Sequence, residues 1–168
     1  NEDAMSLYAN HWKDFDEAPP EKGAPSKSLL FWKIDERQGR LKNTRLDTLL
    51  YHYVSMRSMD EVKLDHVFDS FKTWWGNGAR NVDKELGRLK DAAAVFRALV
   101  VPDRTTRFGR FAYNMRVLDT STLTPVVLFL AERHRIDSGE FLDCLEILES
   151  YVVSGSPQEP CWLDCTFG

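Results

Sequence analysis

The sequence predicts an all-α protein, an irregular antiparallel bundle of about seven helices, and three observations carry that prediction. Apolar residues recur at three- and four-residue intervals in one segment after another, the spacing that forms a stripe on a 3.6-residue helix. Most of these segments follow a side chain able to cap a helix, and most stop at glycine or proline. No hairpin signal stands out, so no sheet is expected.

The elements follow in order. Met5, Leu7, Tyr8, Trp12 and Phe15 keep the helical rhythm before "DEAPPEKGAPSKS", whose three prolines and one glycine predict a loop near residues 18–28. The stretch "LLFWKIDERQGRLKN" predicts a short helix ending before Gly39, and "TRLDTLLYHYVSMRS" puts Leu46, Leu49, Leu50, Tyr53 and Val54 on one face. Ser58 stands three residues before Glu61, a reciprocal capping arrangement, so a new helix is expected there and should run through Phe68, Phe71, Trp74 and Trp75 to "GNG". Asn81 caps the next, where Val82, Leu86, Leu89, Ala93, Phe96 and Val100 repeat until Pro102. Phe108, Phe111, Ala112 and Met115 mark another helix. Pro125 suits the first turn of one reaching about Arg135, and Asp137, three before Glu140, caps a last one through Phe141, Leu145 and Val152.

A chain of 168 residues, 43% hydrophobic and 12% aromatic, has the material for one core, and residues 1–153 are expected to form a single helical domain. Residues 154–168 are expected to be an irregular tail, non-native or truncated, docked at most through Trp162 and Phe167. The first residue is Asn1 and no apolar signal core follows, so the chain is expected to be a protein fragment. No fixed-period repeat is present. The longest apolar run, "TPVVLFLA", is far short of the ~20 residues that span a bilayer, so no membrane association is expected. The net charge of −4 with mixed signs does not suggest a broad nucleic-acid surface.

An odd set of cysteines, Cys144, Cys161 and Cys165, with no signal peptide predicts reduced thiols in the cytoplasm. Cys161 and Cys165 are spaced to share a metal on a helix, but zinc needs four ligands and no second pair accompanies them. Asp65 and Asp69 are spaced to hold a divalent cation, yet Leu64, Val67, Phe68 and Phe71 claim the core side and leave both aspartates on a solvated face. His52, His11 and His134 lack a local nucleophile and carboxylate, and "ERHR" suits a helix C-terminus. There is no glycine-rich phosphate loop, nucleophile elbow or HExxH. No catalytic residue, metal ligand or cofactor is therefore expected. Arg104, Arg107 and Arg110 are the candidates for phosphate contact, Arg107 and Arg110 standing i, i+3, with ordinary surface charge as the plainer reading.

The order and spacing of "RLDTLLYHYVSMRSMDEVKLDHVFDSFKTWW", "ELGRLKDAAAVFRALV", "LDTSTLTPVVLFL" and "LEILESYVV" resemble the helical region of the DUF262 family, which includes GmrSD-type modification-dependent restriction proteins. The resemblance covers about Phe31 to Val153. It implies a central helical region whose parent carries an N-terminal ParB-like domain with an Asp-Gly-Gln-Gln-Arg motif and, in many members, a C-terminal His-Asn-His nuclease domain. Neither motif is present here, so no catalytic residue transfers. The resemblance thus implies a non-catalytic scaffold or interdomain region of a DNA-targeting restriction or defence protein. A DNA-contacting helical module is the alternative, and a metal-dependent hydrolase the third reading. The expected partners are the missing flanking domains, DNA, or a second copy in a homo-oligomer. The family continues past "ESYVV" with arginines and more helix, whereas Ser154, Gly155, Ser156 and Pro157 follow here.

Overall fold

Seven helices and one small hairpin form the described chain, so the all-α expectation holds in its main architecture. A computed structural model describes residues 3–19, 30–38, 41–60, 62–63 and 66–154. These residues gather into two compact units, Asn1–Phe96 and Arg97–Gly168.

In the first unit, α1 is a continuous helical run of Ala4–Leu7, a π turn Tyr8–Trp12, and Lys13–Glu17. Asp3 caps it by accepting from the Met5 amide at 3.2 Å. A π turn displaces the regular carbonyl ladder. The Asn10 carbonyl in that turn takes the Lys90 ammonium at 3.2 Å, and the same ammonium pairs with Asp14 at 2.8 Å. The Phe31 amide donates to the Ala18 carbonyl at 3.1 Å, which joins the two ends of the proline-rich segment. Most of that segment lies outside the described residues.

The structure corrects the expectation for residues 29–43. Phe31–Lys33 form a single 3₁₀ turn, and strands β1, Asp35–Gln38, and β2, Leu41–Thr44, pair antiparallel with Asp35 opposite Thr44 and Glu36 opposite Asn43. Alternating hydrophobicity is absent from these strands because the hairpin is anchored by charge. Glu36 pairs with Arg45 at 3.0 Å with both side chains nearly buried, and the Arg45 guanidinium lies 4.5 Å from the centre of the Phe31 ring.

Helix α2, Arg45–Ser58, starts at Thr44, whose hydroxyl accepts from the Asp47 amide at 3.1 Å and donates to the Asp47 carboxylate at 2.7 Å. It buries Leu49, His52, Tyr53 and Val54. Around them Trp32 stacks on Phe96 at 6.2 Å and meets Phe15 at 5.2 Å, giving the unit an aromatic core. Ser58 ends this helix instead of opening the next. Met59 adopts the left-handed conformation, φ 57°, that terminates helices, and α3 begins only at Val67 and runs to Gly76. Glu61, the expected capping partner, lies outside the described residues. Helix α4, Val82–Val100, belongs to this unit as far as Phe96 and begins as predicted: Asn81 accepts from the Lys84 amide at 2.8 Å.

The second unit is built on α5, Arg107–Val117, α6, Thr124–Arg133, and α7, Gly139–Ser154. Thr106 caps α5 through the Gly109 amide at 2.9 Å. Only glycine fits at position 109, since a Cβ there would stand 1.8 Å from the Asp103 carbonyl oxygen. Pro125 occupies the first turn of α6, as its fixed φ predicts. The cap of α7 shifts by one residue from expectation: Ser138 Oγ accepts from the Phe141 amide at 3.3 Å, while Asp137 has φ 65°. Phe111, Phe141, Leu145, Val127 and Leu128 are fully buried, and Phe108 meets Phe141 edge-on at 5.5 Å. The "LEILESYVV" segment is part of this last helix, as expected, and residues 155–168, including Cys161, Cys165, Trp162 and Phe167, lie outside the described residues. Among the described residues, no helix is long and apolar enough to cross a membrane.

Candidate functional site

The first unit contains a cleft of about 740 Å³, within the range of small-molecule sites. Its walls are supplied by Leu50 and Val54 of α2, Val67 and Phe71 of α3, and Leu86 and Leu89 of α4. Trp12 of α1 and Asn43 of β2 complete the lining, so the π turn and the hairpin both help to shape it. The helical stripes explain the apolar walls: positions spaced three and four apart on each helix lie on its inner side. Phe71 stacks on Trp75 at 5.6 Å, a geometry that holds both rings in place.

One wall carries a buried carboxylate. Glu85, 6% exposed, accepts from the Tyr53 hydroxyl at 2.6 Å, pairs with Arg57 at 3.0 Å, and pairs with Arg88 at 3.1 Å. The Arg57 guanidinium also faces Trp74 at 5.7 Å, and Arg80 covers the same ring at 4.2 Å. These contacts engage both oxygens of Glu85, so the group is suited to hold α2 against α4 and poorly placed to move a proton. Its role was not legible in the sequence, although the i, i+3 spacing to Arg88 is a usable signal.

The histidines separate into distinct environments. His52 is buried between Tyr51, 4.9 Å away, and Phe96, 6.3 Å away, and burial lowers its pKa to about 4. A neutral core imidazole results. His11 Nε2 meets Asp83 at 2.7 Å beside Gly87, tying α1 to α4. His66 and Asp69 are 3.8 Å apart and both exposed, in keeping with a solvated face, while Asp65 lies outside the described residues. Among the described residues, no three His, Cys, Asp or Glu side chains are grouped to hold a metal ion.

The three candidate arginines all lie in the second unit, and each has an internal contact. Arg107 pairs with Glu149 of α7, to which Asn114 also donates at 3.2 Å. Arg104 covers the Tyr113 ring at 4.2 Å, and Arg110 donates to the Thr105 carbonyl at 3.2 Å. Arg104 and Arg110 are exposed and Arg107 half-buried. The fold therefore gathers these residues around the start of α5 but uses Arg107 to bind α5 to α7. Comparison of the chain with protein-family models, curated proteins and solved structures finds no match.

Proposed function

We propose that the chain is a non-catalytic helical scaffold and interaction module from a larger DNA-targeting restriction or defence protein. The interaction part rests on the cleft of the first unit, whose walls accept an apolar group while its one buried carboxylate is held by Tyr53, Arg57 and Arg88. The parent assignment rests on the ordered resemblance of the helical phrases to the DUF262 family. Its partners are then the flanking domains of that parent.

The DNA-contacting alternative has its support in the exposure of Arg104 and Arg110. Fluorescence anisotropy with a short duplex separates the two readings. The scaffold reading predicts only weak binding, unchanged by R104A and R110A together. Tight binding that falls steeply with salt, with a slope reduced by the double substitution, overturns it in favour of direct DNA contact. The coding DNA on either side tests the parent: Asp-Gly-Gln-Gln-Arg upstream is expected, and its absence in every frame contradicts the assignment.

A further inference from the structure

We propose that the cleft of the first unit is a binding site for a hydrophobic organic cation, an aromatic or alkyl body carrying an ammonium group. The inference stands on the cleft alone and does not depend on the parent assigned above. Size comes first: about 740 Å³ accommodates a drug-sized body, and helices on several sides make a concave site instead of a flat docking face. Chemistry comes second. Five aromatic side chains, Trp12, Tyr53, Phe68, Phe71 and Trp75, are among the lining residues, and the ionisable acids there are Asp47 and Glu85. No Lys, Arg or His is among the lining residues described.

The two acids differ in availability. Glu85 is held by Tyr53 and by two guanidiniums, Arg57 and Arg88, so it offers no free negative charge to a ligand and Asp47 must supply the attraction. Asp47 is exposed, and its Oδ2 accepts a hydrogen bond from the Thr44 hydroxyl at 2.7 Å. A cationic head near Asp47 gains electrostatic attraction while its apolar body is covered by rings whose faces favour positive charge. One of these rings already meets a cation within the chain, since the Lys72 ammonium lies 4.4 Å from the centre of the exposed Phe68 ring. An anionic body of the same shape gains the apolar contact but meets the Asp47 carboxylate.

Three probes sharing one ring system test this: (1-naphthylmethyl)trimethylammonium, 1-naphthalenemethanol and 1-naphthalenesulfonate, titrated into the full chain with amide chemical shifts as the readout. The cation is expected to bind about tenfold more tightly than the sulfonate, with the alcohol between them and the shifts centred on Leu50, Val67, Phe71 and Leu86. D47N is expected to bring the cation close to the alcohol and leave the alcohol unchanged. V67W is expected to block all three while the far-ultraviolet circular dichroism stays native, with L50W as the second blocking variant if V67W does not fold. Equal affinity for the three probes, preference for the sulfonate, shifts away from the cleft, or no binding at millimolar probe each overturns the proposal.

Discussion

His52 shows how one buried side chain sets a pH dependence. Its folded-state pKa, about 4, is below the ordinary 6.5, so the contribution is fully present above pH 6.5 and is lost as pH falls towards 4. The shift corresponds to about 3 kcal/mol at most. Thermal melts between pH 7 and 4 are therefore expected to show wild type losing stability faster than H52Q, and parallel curves contradict this account. Gly109 carries a different constraint. G109A places a methyl group against the Asp103 carbonyl and is expected to cost about 3 kcal/mol in denaturant unfolding. Glu85 completes the set: E85A removes the carboxylate that Arg57 and Arg88 share and is expected to cost about 2–3 kcal/mol, towards the lower figure because solvent reaches Arg88. A midpoint unchanged by either substitution contradicts the packing described for that residue. These roles were largely hidden in the sequence, because burial of His52 and Glu85 depends on neighbours far along the chain. Gly109 was equally opaque: its constraint comes from a carbonyl six residues earlier that only the folded turn brings close.

Helix termini were more legible, since caps are local chemistry. Asn81 and Pro125 act where their side-chain types predict. Ser58 does not, because the left-handed Met59 ends α2 there before a capping box can open another helix. Asp137 and Ser138 are adjacent capping types, and spacing alone favoured the wrong one. S138A is expected to lower stability by about 1 kcal/mol, whereas D137G is expected to be neutral or slightly stabilising because glycine tolerates the positive φ. The reverse order of effects moves the cap back to Asp137. The hairpin escaped prediction for a physical reason: β1 reads Asp-Glu-Arg-Gln, with no apolar alternation, and a buried ion pair with an arginine on the next helix secures it.

At the scale of the whole molecule, the helical class followed from periodicity, whereas the cleft did not. Each helix announces an apolar stripe, but periodicity cannot distinguish a stripe covered by neighbours from one that leaves a cavity. Leu49 and Leu50 illustrate the point: consecutive leucines on α2, one fully buried in the core and the other lining the cleft. The arginines present the converse case. Sequence offered Arg104, Arg107 and Arg110 as equals, and the fold commits Arg107 to Glu149 while leaving the other two exposed. On the proposed reading, the cleft of the first unit is the binding surface, and Arg107 is a structural pair with Glu149. One set of amide-shift maps tests that assignment most directly, recorded with the naphthyl ammonium probe and separately with a short DNA duplex. The predicted result is saturable shifts at Leu50, Val67, Phe71 and Leu86 with the cation, and none at residues 104–110 with the duplex at physiological salt. Shifts at residues 104–110 on adding DNA, with the cleft silent towards the cation, contradict it.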